Sequence, residues 1–239
     1  MTWSICAHDP ETGAFAVAVA TRAFAVGANC PYVRAGVGAV STQSITNRYL
    51  GPAVLDAMAR GLTPEQAIRG ALAADEGRGI RQLHAVDRHG RTAAWTGENC
   101  VEWCGGVGLP GASFAGNMLA GPQVIAATAE AFAASAGRPL AERLLGAMEA
   151  GEAAGGDRRG RQSAALVLTT TEDFPDINLR VDDHTAPLEE LRRLHGIWER
   201  DGLPRLVVAP RKADPAGLID LDVFEAGWKA RGLELRFRR

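Results

Sequence analysis

The second residue of the chain combines a nucleophile with a base, provided that it becomes the terminus. Thr2 follows Met1, and removal of that methionine would free the α-amine of Thr2. A terminal threonine hydroxyl can attack a carbonyl carbon, while its α-amine, with an ordinary pKa of about 7.7–8.0, accepts the proton. Threonine is common after methionine, so the alternative is a threonine at a strand edge behind a retained Met1.

Several polar residues are candidates to assist Thr2. Ser4 lies on the same strand face as Thr2 by the two-residue period and could orient it, although small buried packing explains it as well. Gly116 would let the backbone approach a ligand, and the Asn117 amide could donate to a developing oxyanion. The alternative for this pair is a turn in which Asn117 bonds its own backbone. Gln43 ends a strand and could line a pocket or satisfy the strand terminus.

A basic segment further along the chain suggests a second part of the site. It combines a glycine turn with Asp157, three arginines that include Arg161, and then Gln162 and Ser163 at the entry to a strand. Such a cluster can hold a substrate carboxylate through paired hydrogen bonds. A solvated basic turn is the alternative.

Composition excludes several classes of function. A formal net charge of -2 over 239 residues gives no indication of a nucleic-acid or anionic-membrane partner. No apolar stretch approaches the length of a membrane span, and no secretory leader precedes the first strand. Four cysteines are too few for a disulfide scaffold, so a reduced, cytoplasmic setting is expected. Cys100 and Cys104 lack a second pair at zinc-site spacing, and we predict neither a metal nor an organic cofactor.

Periodicity and turn residues predict an α+β fold. Strands are expected at residues 2–8, 14–20, 36–42, 83–87, 92–96, 113–117, 163–169 and 178–182, with helices at 52–60, from Pro64, at 122–135, around Leu140 to Met148 and after Thr185. Antiparallel hairpins with helices in pairs favour a four-layer α/β/β/α sandwich. We expect one domain over residues 1–202 and an extension over 203–239 that packs on this core or on an oligomer partner.

The chain also resembles one prokaryotic family. The resemblance covers roughly the first two hundred residues, and the motifs that carry it, in order, are TWSI at 2–5, VAVATR at 17–22, GAVSTQ at 38–43, GNMLAG at 116–121, GGDRRGRQSAA at 155–165 and LRVDDH at 179–184. They are similar to those of the domain-of-unknown-function family 1028. Membership implies a fold like the N-terminal-nucleophile (Ntn) hydrolases, with no established activity. Some relatives carry a peptidoglycan-binding module, which implies amide or peptide substrates.

A looser similarity connects the chain with proteasome-type subunits. Thr21 and Arg22 match a hydroxyl–arginine pair at the end of their second strand, but Ala20 stands where they have an acid. The position that corresponds to their catalytic lysine lies near Arg34 in this sequence. An arginine cannot relay protons, but it could hold a fixed positive charge beside the α-amine and favour its neutral form.

Together these features predict a hydrolase of small amide or peptide-like bonds, an amidohydrolase that needs no metal. Thr2 would attack, Asn117 would hold the oxyanion, Arg34 would tune the terminus, and Asp157 with Arg161 would position the substrate. Two alternatives remain. One is cyclic-amide ring opening or cyclohydrolase activity without a terminal nucleophile, and the other is a non-catalytic binding protein. The expected partner is a small-molecule substrate, and a homo-oligomer is a further expectation.

Overall fold

The computed structural model describes residues 2–232, which form two compact units, one ending at His195 and one starting at Gly196. The first unit contains two antiparallel sheets. The six-stranded sheet has the order β10-β9-β2-β1-β8-β7, with β1 Thr2–Asp9, β2 Ala14–Thr21, β7 Gly105–Leu109, β8 Ala112–Asn117, β9 Ser163–Thr169 and β10 Ile177–Val181. The four-stranded sheet has the order β3-β4-β5-β6, with β3 Pro31–Arg34, β4 Gly38–Ser44, β5 Arg81–Asp87 and β6 Thr92–Thr96.

Helices cover the outer faces of both sheets. They are α1 Leu50–Ala59 and α2 Pro64–Ala73 on the four-stranded sheet, and α3 Gln123–Ala134 and α4 Leu140–Ala153 on the six-stranded sheet. Helix α5 Pro187–Ile197 follows β10 along the chain. Short 3₁₀ helices lie at Val26–Ala28 and Arg78–Ile80. The two sheets pack face to face through Cys6, Phe15 and Val17 on one side and Ala39 and Val86 on the other. The predicted α/β/β/α sandwich is therefore confirmed.

Local sequence explains why β1 and β2 are the central strands of their sheet. All eight residues of β2 are buried, which agrees with its uninterrupted run of small and apolar side chains. In β1 the side chains alternate, so Trp3 faces helix α4 whereas Ser4 and Cys6 face the second sheet. The first residue of β1 thus lies in the middle of a sheet.

The predicted start of α2 is confirmed. Thr63 Oγ1 accepts a hydrogen bond of 3.2 Å from Gln66 N, and Gln66 Oε1 accepts one of 3.0 Å from Thr63 N. This reciprocal capping box satisfies two backbone donors at the helix start.

The strand predicted at 36–42 begins two residues later, because Gly36, with φ of 68°, belongs to the preceding turn.

Two strands were missed by the sequence analysis. Strand β7 is glycine-rich and β3 begins with Pro31, and both are edge strands. Edge strands tolerate proline and glycine because half of their backbone groups need no partner in the sheet. The local sequence therefore carries little strand signal at these two places.

The second unit consists of a π-helical turn at Trp198–Gly202, helix α6 at Leu203–Val208 and helix α7 at Leu221–Lys229. The sequence analysis predicted its start after Gly202, and residues 233–239 of the predicted extension lie outside the described residues. Asp220 caps α7 by accepting from the backbone N–H groups of its first turn. Within residues 2–232, no helix has both the length and the apolar character needed to cross a bilayer.

Candidate functional site

Thr2 opens β1 between the ends of two neighbouring strands. It pairs with Asn117 of β8, and its Oγ1 lies 3.4 Å from the Oγ1 of Thr21, the last residue of β2. Its side chain shares a face with Ser4, which contacts the second sheet, so the Thr2 hydroxyl faces the space between the two sheets. Thr2 is 5% exposed. The hydroxyl is therefore held inside one end of the sandwich, which we call the Thr2 end.

Next to Thr2, the interior between the sheets is polar. Ser4 Oγ lies 3.0 Å from Ser41 Oγ, 2.7 Å from Gln43 Oε1 and 2.7 Å from His84 Nε2. All four side chains are fully buried. Burial lowers the pKa of His84 from 6.5 to about 3, so this imidazole is neutral at pH 7. It can therefore serve as a hydrogen-bonding group in the core without introducing a buried charge.

Gln82 of β5 connects this polar interior to the backbone of Thr2. Its Oε1 accepts from Gln43 Nε2 at 2.8 Å and from Asn117 Nδ2 at 2.9 Å, and its Nε2 donates to the Gly116 carbonyl at 2.8 Å. The same two amide nitrogens, of Gln43 and Asn117, each lie 3.5 Å from the Thr2 carbonyl oxygen. Gln82 thus fixes the two amides that flank Thr2.

This arrangement changes the roles predicted for Asn117, Gln43 and Gly116. The Asn117 amide nitrogen lies 2.9 Å from Gln82 Oε1 and 3.5 Å from the Thr2 carbonyl oxygen, so it is directed at these two acceptors and not at the predicted place of an oxyanion. Gln43 is fully buried within the network and does not line an open pocket. A Cβ at Gly116 would lie 2.4 Å from Leu119 Cδ1, so close packing, not approach to a ligand, requires this glycine.

Arg34 does not lie beside Thr2. It pairs with Gly38 at the other end of β4 and forms an ion pair of 2.8 Å with Asp56. The adjacent Val33 packs at the level of Cys6, which is about 13 Å along the extended strand from Thr2. The predicted tuning of the terminus by Arg34 is corrected accordingly, because the strand direction carries this residue away from the Thr2 end.

Asp157 anchors the predicted basic segment to the end of β2. Its carboxylate is buried and accepts from the backbone N–H of Arg22 at 2.7 Å and of Arg159 at 2.8 Å, with the Arg159 guanidinium paired at 3.2 Å. The backbone N–H of Gln162 donates to the Thr21 carbonyl at 3.0 Å. The segment is therefore adjacent to the Thr2 end, and Asp157 holds it there instead of contacting solvent.

The side chains of this segment divide into buried and exposed groups. Ser163 is buried, donates to the Ala23 carbonyl at 2.6 Å and accepts from Val26 N at 3.1 Å, so it has a structural role in place of the predicted substrate contact. Arg161 forms an ion pair of 3.3 Å with Glu152. Arg161 and Gln162 line a surface cavity of about 330 Å³ together with Arg22 and His184.

In the described part of the chain, three residues other than glycine have left-handed backbone conformations, and all three lie near the Thr2 end. Ala25 follows β2, Ser44 closes β4 and Met118 follows β8, with φ values of 54°, 70° and 58°. Left-handed backbone is unfavourable for residues with a Cβ, and such strain collects at functional sites. Strands β2, β4 and β8, which end near Thr2, are therefore all followed or closed by a residue with strained left-handed backbone.

Sequence reasoning assigned no role to Gln82 or His84. A usable signal existed in the strands, since polar residues recur at two-residue spacing on β4 and β5. Gln43 pairs with Gln82 and Ser41 with His84 in the sheet ladder. Polar pairs at core positions of adjacent strands indicate a buried network, because lone polar side chains are costly there.

Two antiparallel sheets between helix layers, with a threonine opening a central strand of one sheet, define a four-layer α/β/β/α sandwich of the α+β class. A model of a family of unknown function (DUF1028) matches residues 2–191, and the chain belongs to this family. The resemblance identified from the motifs is thus confirmed.

The solved structures that resemble this chain include a member of the same family and a more distant protein. Protein SPO2555 from Silicibacter pomeroyi, described as DUF1028, is 33% identical with a TM-score of 0.85, over 92% of this chain and 96% of that chain. Anbu (ancestral beta-subunit) from Yersinia bercovieri is 10% identical with a TM-score of 0.39, over 82% and 93% of the two chains. No curated protein matches the chain.

Proposed function

We propose that the protein is an Ntn-type hydrolase of small amide or peptide-like bonds that uses Thr2 after removal of Met1. One observation carries this proposal. The Thr2 hydroxyl lies between the two sheets beside Thr21, while two amides lie close to its own carbonyl oxygen. A fixed position favours a nucleophile, because a displacement of 1 Å can cost about a hundredfold in rate, and the proposal also requires that the substrate carbonyl reach this hydroxyl once Met1 is removed.

The reaction has two halves. The Thr2 hydroxyl oxygen bonds to the amide carbon, the α-amine takes the hydroxyl proton, and the C–N bond breaks as that proton passes to the leaving amine. Water then attacks the acyl ester on Thr2, the amine again carries the proton, and the acid is released. Asn117, Gln43 and Gln82 act as positioning residues for this threonine.

The cavity beside the end of β2 supplies the substrate contact in this proposal. Arg161 and Gln162 line it, and Arg22 donates to Gln162 Oε1 at 2.6 Å, which orients both side chains. Asp183 also lines the cavity and accepts from Gln162 Nε2 at 3.0 Å, so the two guanidinium groups exceed its one carboxylate and favour a substrate that carries a carboxylate. Asp157 holds this segment in place and is not a substrate contact.

The test uses the purified full chain and a β-lactone probe that esterifies reactive hydroxyl groups. Intact-mass measurement first shows whether Met1 is absent, and peptide mapping then identifies the labelled residue. We expect the label on Thr2, retained with Thr2→Ser and lost with Thr2→Ala. Thr12→Ala, which alters an exposed turn threonine, is the matched control and should label normally.

A panel of linear and cyclic amides separates the alternatives. Hydrolysis of linear amides that disappears with Thr2→Ala supports the proposal. Cyclic amides opened equally well by wild type and Thr2→Ala would instead identify a ring-opening enzyme without a terminal nucleophile. Retained Met1 together with no turnover and no label would favour the binding protein and contradict the proposal.

A further inference from the structure

A second cavity lies at the end of the sandwich opposite Thr2. Its volume is about 380 Å³, and it is formed where β1 ends and where the β5–β6 and β7–β8 turns meet helices α3 and α4. Pro10, Arg88, His89, Pro110, Phe132 and Arg143 contribute to its lining. We call it the arginine cavity. Small-molecule sites of about 300–1,000 Å³ are usual, so the volume suits one small ligand.

The two arginines of this cavity have no carboxylate partner within residues 2–232. Arg143 lies over the Phe132 ring at 4.0 Å from its centroid, and one of its terminal nitrogens lies 3.4 Å from the Phe132 carbonyl oxygen. Its buried Nε has no hydrogen-bond partner in this part of the chain. Arg88 is exposed, and its Nε lies 3.4 Å from Nε2 of the neighbouring His89. Two guanidinium groups without a carboxylate in one cavity attract an anion, since arginine pairs readily with carboxylate and phosphate.

The acidic groups near the arginine cavity are already engaged. Asp87 is buried and accepts from Arg91 Nε at 2.7 Å and from the backbone of its own turn. Asp9 accepts from Glu11 N and Thr12 Oγ1 in the first hairpin, and its negative charge also acts on Arg143, so it offsets part of the positive charge of the two arginines. His8 stacks on Phe15 with centroids 4.5 Å apart, and burial lowers its pKa. The positive charge of the cavity therefore comes from the two arginines.

Backbone hydrogen bonds hold the walls of the cavity in place. His8 N donates to the Gly111 carbonyl at 2.8 Å, and Gly111 N donates to the Gly90 carbonyl at 2.9 Å. These two bonds tie the end of β1 and both turns to one another. The arginine cavity is thus preformed, which lowers the entropic cost of binding.

We propose that the arginine cavity binds a small organic anion in which a phosphate or carboxylate is joined to an aromatic or apolar group. The anionic oxygens contact Arg88 and Arg143, and the apolar part packs against Phe132, Pro10 and Pro110. This site is separate from the Thr2 end and does not depend on the proposed hydrolase activity.

Calorimetric titration of the full chain with phenyl phosphate tests the proposal, with inorganic phosphate and phenol as the separated halves of the probe. We expect phenyl phosphate to bind more tightly than either half. Arg88→Ala should weaken binding roughly tenfold, since a charge-assisted hydrogen bond is lost. Arg143→Lys keeps the charge but removes the planar fork and should also weaken binding.

Arg60→Ala is the matched control, because it removes an exposed arginine at the C-terminal end of α1 and makes the same change in net charge. It should bind phenyl phosphate as wild type does. The proposal is overturned if phenyl phosphate does not bind at millimolar concentration, or if Arg88→Ala leaves its affinity unchanged. An equal loss with Arg60→Ala would show only nonspecific attraction and would overturn it as well.

Discussion

Several polar side chains in the interior of this sandwich form one hydrogen-bonded network around Gln82. A buried amide without partners costs about 1–3 kcal/mol, so a core glutamine persists only where its groups are satisfied. Gln82 meets this condition with two accepted and two donated bonds, to Gln43, Asn117, Gly116 and Thr96. Gln82 also supports the surroundings of Thr2, because the Gln43 and Asn117 amides that it holds lie 3.5 Å from the Thr2 carbonyl oxygen.

Gln82→Leu should therefore destabilise the fold and disturb Thr2 together. The change removes the hydrogen bonds that Gln82 makes with the amides of Gln43 and Asn117 and with the Gly116 carbonyl, and we expect a loss of about 2–5 kcal/mol in the free energy of unfolding. Urea unfolding followed by circular dichroism measures this loss, and the rate of lactone labelling reports on Thr2.

Gln123→Leu is the control for the glutamine replacement, because Gln123 is exposed at the start of α3. It should change stability by no more than about 0.5 kcal/mol. Equal stabilities for the two variants would show that the buried network carries no energy of its own.

At the residue scale, the sequence predicted the features that depend on local chemistry. The start of a central strand at Thr2 could be predicted because apolar alternation and turn residues are local signals. The place of Arg34 could not, because it depends on the register of β3 against β4. Asn117 was placed correctly at the end of its strand, but its partner Gln82 comes from the other sheet, and no local pattern indicates which strands face each other.

Among the elements, helix α4 shows how closely the helix layer packs on the sheet. Gly151 faces α3 and β1, and a Cβ there would lie 2.2 Å from Thr128 Oγ1 and 3.0 Å from Trp3 Nε1. Gly146, in the same helix, has no heavy atom within 4 Å of such a Cβ. In this helix, packing therefore requires a glycine at position 151 but not at position 146.

Alanine at these two positions should have opposite effects. Gly151→Ala overpacks the α3–α4 contact and should lower the free energy of unfolding by about 1–3 kcal/mol. Gly146→Ala should raise it by about 0.5–1 kcal/mol, since alanine favours the helix over glycine. Urea unfolding of both variants measures the difference. If both alanines stabilise the protein, α4 does not approach α3 as the structure shows.

Elements with strong internal signals could be predicted almost to the residue, as β6 and β9 were. The edge strands β3 and β7 could not, because their stability comes from a neighbour in the sheet and not from their own composition. The order of strands in each sheet is likewise a property of contacts between distant segments.

At the scale of the whole molecule, the core of the sandwich contains a buried histidine that can titrate. His84 is fully buried between the sheets with a pKa of about 3, whereas the unfolded chain takes up this proton near 6.5. Because the unfolded chain binds this proton at a higher pH than the folded protein does, the free energy of unfolding is highest above pH 6.5 and decreases as the pH falls toward 3. Asp75, whose pKa hydrogen bonding to Arg81 lowers from 3.8 to about 2, adds a loss of the same sign only below pH 3.8.

The free energy of unfolding should accordingly fall between pH 6.5 and pH 4, with a slope that approaches about 1.4 kcal/mol per pH unit from His84, to which His8, whose pKa burial also lowers, adds a loss of the same sign. His84→Gln keeps a neutral polar side chain and should flatten this slope, whatever it does to stability at pH 7.5. Urea unfolding at four pH values from 7.5 to 4 provides the measurement. A slope that His84→Gln does not reduce would mean that the imidazole is hydrated and protonates readily in the folded protein, which the complete burial of the His84 side chain does not allow.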